Sequence, residues 1–511
     1  MENDPCSPPP VNSNFLVADP TRRRLGFAVL GALGTAAFLD TRAARGGVDG
    51  SPEGIAAMAQ TLGDGAGLAW VDTVLGLPAP EPPTIRTGGD LATKTPEQVG
   101  ATVVIAKGCT VPGDGGGGLF RWAETGIDDG GTVIVPGANV GASGGCWKRV
   151  YSGPFDVKWF GARGNGDTDD RPAIQSAINA AWAVGGEVFF GPGEYVCYSP
   201  LALPVDANSS LALIGSGVRN AAHLTEPYGT RLRFAGGERD DFIAAIFTIY
   251  KIPVYRFENL SIIGPGATGA TTSGNGIRIS GTAVPRVVMS DVTVDNFPGG
   301  NGIWLDACEY STLKDVFVSR CQTGLRLTGA FNANTLINVA AGSCSEYGIY
   351  AENSASVTLV GCTVQSNERT GFKGVNLIDW VISATHFENN NTSATPDVHA
   401  VDIESASPSA VQHMKFDNCT FFTGTGGREN IVLRARYNLV DLSFSGYANY
   451  PGGLEPAITV DPVDPAAFGR VLGLYLHEFC TPDHVYDPAG KISGLQLWYY
   501  GEHLAGSGER G

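Results

Sequence analysis

Six short segments decide the fold: GIRIS at 276, GIWLD at 302, GLRLT at 324, GIYAE at 348, GFKGV at 371 and AVDIE at 400. Their starts are 26, 22, 24, 23 and 29 residues apart. A period in this range marks a solenoid of stacked repeats. The second and fourth residues of each segment are mostly apolar: Ile277/Ile279, Ile303/Leu305, Leu325/Leu327, Ile349/Ala351 and Val401/Ile403. Phe372/Gly374 is the weakest pair. The third and fifth residues are mostly polar or aromatic. Alternation at period two describes a strand with one face buried and one exposed. Most repeats carry a second strand: DVTVDN at 291, DVFVSR at 315, NVAAGS at 338, GCTVQS at 361 and ATHFEN at 384. Such repeats leave no room for a helix. The expected architecture is all-β, a parallel β-helix coil.

The chain has 511 residues, long for one compact domain but not for a solenoid, in which each rung contacts only its neighbours. Seventy glycines and only 17% charged residues suit many turns and little surface helix. A formal charge of −17 argues against nucleic acid, whose phosphates need a basic footprint. An acidic polysaccharide stays open, because a local basic stripe can sit on an acidic protein. Ten cysteines show no CxxC pair and no metal spacing. Cys362 and Cys419 fall at inward positions and read as small buried hydrophobes. Cys321 and Cys344 share a turn position on adjacent rungs, about 4.8 Å apart, which permits a disulfide.

The remaining chain divides around the ladder. Residues 1–45 hold a polar, Pro-rich tail and then Arg22, Arg23 and Arg24 before an apolar run from Leu25 to Leu39. That run is short of the roughly 20 residues of a membrane span. With small residues near Ala43, it resembles a twin-arginine export signal cleaved near 40–47. The mature protein is then expected in the periplasm, at the cell surface or secreted, with no stable membrane span. Residues 46–83 read as a helix over 52–76 and a linker, LPAPEPP. Residues 84–154 read as a small β module. Its GDGGGG stretch lacks the Lys-Ser/Thr of a phosphate loop and reads as a hairpin turn. At 155–197, Asp169 or Asp170 is placed to cap a helix carrying Pro172, Ile174, Ile178 and Ala181, stopped by Gly185-Gly186. That helix would plug the solenoid end. The coil spans 155–450, and 451–511 are expected as closing strands.

The stretch DVKWFGARGNGDTDD…AIQSAINAA…GGEVFFGPGEY closely resembles the opening of the pectate-lyase-like, right-handed β-helix proteins, which include rhamnogalacturonase-, epimerase- and tailspike-like members. PGDGGGGLFRW…GGTVIV…WKRV is similar to the module that precedes this opening in tailspikes. The resemblance covers about residues 84–450. It implies a right-handed parallel β-helix with an N-terminal capping helix, carbohydrate substrates, and homotrimers in the tailspike branch. The family's polygalacturonase-like members use a clustered Asp pair and a Gly-His-Gly turn. Neither stands in these rungs, which puts galacturonan hydrolysis in doubt.

Stacking the six segments exposes candidate chemistry. The third residues form a column of Arg278, Trp304, Arg326, Tyr350, Lys373 and Asp402, and the fifth a column of Ser280, Asp306, Thr328, Glu352, Val375 and Glu404. Flat rings suit pyranose faces and guanidinium forks suit carboxylates, so Arg278, Trp304, Arg326, Tyr350 and Lys373 are the expected substrate contacts. An ordinary solvated sheet face with cross-strand pairing is the plainer alternative. Asp306, Glu352 and Glu404 are the catalytic candidates. Neighbouring acids are two rungs, about 10 Å, apart at the backbone, nearer the inverting than the retaining separation of a glycosidase. Asp306 with Glu352 is the preferred pair. The rival chemistry is β-elimination on a uronate polymer, with Tyr350 or Lys373 as base and Arg326 neutralising the carboxylate. No cofactor is expected; calcium would enter only with a lyase, and calcium sites gather acids that this column spaces apart. His386 beside Glu388 reads as a surface pair, Asn389 to Asn391 as a turn, and His477-Glu478 lacks the second His of a zinc helix. The functional expectation is a polysaccharide-degrading enzyme, hydrolase or lyase. The alternatives are a carbohydrate-binding adhesin and a tailspike-like structural protein.

Overall fold

The computed structural model describes residues 82–505 except 138–143, 219–228, 237–239, 267–273, 393–398, 408–410, 423–430, 450–457, 461–468, 478–484 and 500–501. The expected export signal, the helix over 52–76 and most of the proline-rich linker lie outside the described residues.

The six segments become strands of one parallel sheet. They are β1 (Ile277–Gly281), β2 (Asn301–Asp306), β3 (Thr323–Thr328), β4 (Tyr347–Glu352), β5 (Thr370–Val375) and β6 (Val401–Ser405), followed by β7 (Ile431–Ala435). The sheet has 11 strands in all. Leu201–Ala202 and Ile243–Phe247 precede β1, and Ile458–Val460 and Val485–Tyr486 follow β7, all paired in parallel. The stack therefore runs past residue 450, where the sequence pattern fades. Val471–His477 pairs in parallel with Leu439–Asn449 and with Ile492–Tyr499, and Glu502–Ala505 turns back antiparallel.

The other walls of the coil are made by strands that bend. Arg286–Asp295 and Thr312–Ser319 each run through a corner. At that corner one residue per rung adopts the left-handed conformation: Asn259, Asp291, Asp315, Asn338, Gly361, Ala384 and Asn418, with φ between 48° and 62°. Asp291, Asp315, Asn338, Gly361 and Ala384 are the residues that open the second strand of each sequence repeat. Asn, Asp and Gly tolerate this conformation better than other residues, which explains their recurrence there.

Inward residues form continuous columns. Ile277, Ile303, Leu325, Ile349, Phe372, Val401 and Ile431 are fully buried, as are Ile279, Leu305, Leu327, Ala351, Ile403 and Leu433. The weak Phe372/Gly374 pair has a packing cause. A Cβ on Gly374 would lie 2.7 Å from Leu377 Cδ1 and 3.0 Å from Phe372 Cε1, so the missing methyl is replaced by larger neighbours. The glycines that open the segments also share a reason. A Cβ on Gly302 would meet Val318 Cγ1 at 2.3 Å, and one on Gly324 would meet the Gly348 carbonyl at 2.5 Å. The strand entry passes too close to the opposite wall and the next rung for any side chain.

The helix Arg171–Val184 closes the N-terminal end, burying Ile174, Ala177, Ile178, Ala181 and Trp182 in the core of the coil. Asp170 stands at its N-cap without a side-chain cap bond. Its carboxylate instead accepts from the backbone N–H groups of Arg163 and Gly164, tying down the GARGNGD loop. Before it, a five-stranded sheet over Thr84–Arg149 forms the small module, around Leu91, Val104, Phe120 and Trp147. The GDGGGG stretch is a turn built on Asp114, which accepts from the N–H groups of Cys109, Thr110, Val111 and Gly116. The disulfide permitted between Cys321 and Cys344 is not formed. Both are buried free thiols, each directing its Sγ to the backbone carbonyl two residues before it. Cys362 and Cys419 are buried, as expected.

Candidate functional site

The third residues of the strands fall in register: Arg278 opposite Trp304, then Arg326, Tyr350, Lys373 and Asp402 in turn. In the fifth column Asp306 stands opposite Thr328, Glu352 opposite Val375, Val375 opposite Glu404, and Glu404 opposite Arg434. All project from the outer face, because their inward neighbours fill the core. The two columns divide chemically between β4 and β5.

From β1 to β4 the ladder alternates cations and rings. The Arg278 guanidinium carbon lies 4.3 Å from the Trp304 ring centre, and that of Arg326 lies 5.1 Å from both Trp304 and Tyr350. Each stack contributes on the order of 0.5–2 kcal/mol and ties a cation to a ring on the neighbouring strand. Arg278 is further anchored by Asp241 at 3.2 Å, which stands just before the strand Ile243–Phe247. Arg326 makes no ion pair among the described residues, and its buried Nε has no hydrogen-bond partner.

The acids of this half are held by neutral donors. Trp304 Nε1 donates to Thr328 Oγ1 at 2.9 Å, and Thr328 Oγ1 donates to Asp306 at 2.8 Å. The Tyr350 hydroxyl donates to Glu352 at 3.0 Å. Burial first, and then the Glu352 charge, push the Tyr350 phenol above its ordinary range, while Arg326 pulls it the other way. Asp306 and Glu352 thus stand ready as acceptors beside an unpaired guanidinium.

From β5 to β7 the acids are neutralised instead. Lys373 Nζ lies 3.0 Å from Asp402 and 2.8 Å from Glu404. Arg434 pairs with Asp402 at 2.9 Å, and Arg436 with Glu404 at 3.0 Å. A hollow of about 270 Å³ opens over this cluster, walled also by Tyr347, Arg369 and Thr370. Lys373 is therefore committed to two carboxylates, and Glu404 to two cations.

Elsewhere, His386 Nε2 meets Glu388 at 3.2 Å on the exposed surface. Asn390 joins a buried amide ladder, accepting from Asn367 Nδ2 at 2.8 Å and donating to the Val364 carbonyl. Among the described residues no group of three or more His, Cys, Asp or Glu gathers closely enough to hold a metal ion. No helix among them is long and apolar enough to cross a membrane.

Sequence reasoning did not single out Arg369, Arg434, Arg436 or Tyr347, nor the bridging role of Thr328. IVLRA at 431 carried the signal for Arg434, since it repeats the alternation of the ladder after a longer interval. Arg369 precedes β5, and Tyr347 opens β4 one residue before the segment read from the sequence, so neither falls in the two columns.

Comparison with known proteins agrees with this architecture. Residues 275–438 match the family described as right handed beta helix region, and residues 155–230 match rhamnogalacturonase A/epimerase, pectate lyase-like. The chain is a right-handed parallel β-helix, similar at its opening to the pectate-lyase-like proteins. Residues 84–152 match the phage tail protein small four-stranded beta-sheet domain. Among solved structures, the enzymatically active domain of bacteriophage CBA120 tailspike protein 2 is similar with a TM-score of 0.55 and 17% identity, over 79% of this chain and 60% of that one. At this identity the likeness speaks for the fold alone. Among curated relatives, mannuronan C5-epimerase AlgE3 of Azotobacter vinelandii is 42% identical over 71 residues, and alginate lyase 7 of the same organism is 57% identical over 42. These alignments take in 13% and 8% of this β-helix chain, and span only 4% and 5% of the relatives' length.

Proposed function

We propose that the protein is an exported enzyme acting on an acidic polysaccharide, cleaving it by β-elimination at a uronate. One observation carries this reading: Arg326, without an acidic partner, lies beside Tyr350, whose hydroxyl is bonded to Glu352. Elimination needs a cation on the uronate carboxylate and a base at C5. Arg326 supplies the first. Lys373 is tied to Asp402 and Glu404, which leaves Tyr350 for the second.

The raised phenol supports one way for Tyr350 to work. It does not wait as phenolate. It takes the C5 proton while passing its own proton to Glu352. The C5–H electrons form the C4–C5 double bond, the C4–O bond breaks, and the leaving oxygen recovers a proton through the same pair. No water is consumed. Trp304 and Arg278 extend the surface for neighbouring sugars. The names of the relatives support a polysaccharide substrate, and one names reaction at C5, the same carbon. The reading includes no cofactor, export by the twin-arginine-like segment, and a trimer of the kind the tailspike resemblance implies.

An inverting hydrolase is the second reading, carried by the acids Asp306 and Glu352, two rungs apart in one column. Both accept a hydrogen bond from a hydroxyl in this structure, whereas a hydrolase needs one of them to carry a proton and donate it. A panel of acidic polysaccharides separates the readings. Elimination yields products absorbing in the ultraviolet, one per new reducing end. Hydrolysis yields reducing ends without that absorbance, and an adhesin binds while yielding neither.

A further inference from the structure

We infer that the hollow over β5 to β7 is a second anion subsite, which takes the carboxylate of another acidic sugar along the same glycan chain. The inference rests on the uronate reading above. Four cations, Arg369, Lys373, Arg434 and Arg436, surround two carboxylates, Asp402 and Glu404. That excess of positive charge stands on a chain with a net charge of −17. An acidic polymer repelled by the bulk of the surface would be drawn to this point.

The two acids do not cancel the site; they build it. Asp402 fixes Lys373 and Arg434, and Glu404 fixes Lys373 and Arg436, so three cations are pre-oriented at the floor and wall. Lys373, Asp402 and Glu404 have side chains only 8–14% exposed, which keeps their order when the hollow fills. Arg369 is exposed at the rim and makes no ion pair among the described residues. Its guanidinium is the donor left for an incoming carboxylate. Tyr347 forms the wall towards the reaction centre, its ring centre 5.4 Å from that of Tyr350. Tyr350 and Lys373 are register partners on adjacent strands. A glycan lying along the sheet with one uronate at Arg326 therefore passes directly over the hollow.

The test is calorimetric binding of oligomannuronates and oligogalacturonates of increasing length, with carboxyl-reduced oligomers as neutral controls. Wild-type affinity for at least one series should rise with length, and the rise should vanish in the reduced controls. Arg369→Gln should weaken the longer oligomers about tenfold, the size of one lost charge-assisted bond, and flatten the length dependence. Arg369→Lys should restore part of it. Arg369 is exposed and unpaired, so its loss should leave the melting temperature unmoved, which separates binding from folding. A length dependence that survives in Arg369→Gln and in Arg369→Gln/Arg436→Gln, but falls in Arg326→Gln, overturns the subsite and leaves the uronate reading standing. If neither series binds the wild type, both fall.

Discussion

The Tyr350 hydroxyl donates to the Glu352 carboxylate across 3.0 Å, on one strand and two residues apart. Side chains at such positions share a sheet face. The pair is therefore fixed by local geometry, and the rungs around it add the guanidinium of Arg326 and the ring of Trp304. This arrangement gives the reading its first test. Tyr350→Phe keeps the ring stack and removes the proton path. Its kcat should fall by about 10² to 10⁴, with the change in KM much smaller. A drop confined to KM would make Tyr350 a sugar platform and nothing more.

Glu352→Gln should move the titration of Tyr350. The Glu352 charge disfavours the phenolate, so it raises the phenol; removing the charge lowers it. Ultraviolet difference titration should show one tyrosine in the variant ionising at lower pH than in the wild type. In the wild type Tyr350 should stay protonated through the ordinary tyrosine range, so activity should show no alkaline limb from it.

Gly324→Ala should destabilise the coil without touching the outer face. The new methyl would stand 2.5 Å from the Gly348 carbonyl, a backbone atom with nowhere to retreat. Overpacking of this kind costs about 1–3 kcal/mol, read as a lower denaturant midpoint. The same substitution at Gly361, where nothing lies within 4 Å but φ is +62°, should cost about 1 kcal/mol through backbone strain alone.

Asp114 sets an acid limit on the N-terminal module. Partial burial alone would raise its carboxyl, but four backbone N–H bonds outweigh that and hold it down at about 2. Its folded value is depressed, so its contribution is complete above the unfolded value near 4. It is lost as pH falls through about 2. Hydrogen exchange at Cys109, Thr110, Val111 and Gly116 should accelerate in that window, and at neutral pH in Asp114→Ala.

Cys321 and Cys344 should resist alkylation until the coil is denatured. Burial raises both thiols, Cys344 to about 12, so neither offers a thiolate at neutral pH. The mass of the unreduced, denatured and alkylated protein should carry a label on both.

Much of this was legible in the sequence because a strand's period is short and strict. The alternation in GIWLD or GLRLT fixes which residues face out, and the repeat fixes which of them stack. The columns containing Arg278 to Asp402 and Ser280 to Glu404 therefore follow from spacing alone. What spacing cannot give is the reach of a side chain. Nothing in the sequence told that Lys373 would turn to Asp402 and Glu404 while Arg326 stayed unpaired. Nor did it show that Thr328, read as a gap between acids, would link Trp304 to Asp306. The hollow was hidden for a different reason. Arg369 and Tyr347 lie at strand entries, where no periodicity operates, and Arg436 lies beyond the end of β7. The disulfide failed on direction: Cys321 and Cys344 share a turn position, yet each thiol turns to a carbonyl of its own rung.

The central claim is that this face removes the C5 proton of a uronate. The most direct measurement is nuclear magnetic resonance of the oligomer products formed in heavy water. The account predicts products that have lost the original C5 proton, unsaturated between C4 and C5 at the new non-reducing end. Saturated products that keep every C5 proton and carry one new reducing end per cleavage would contradict it.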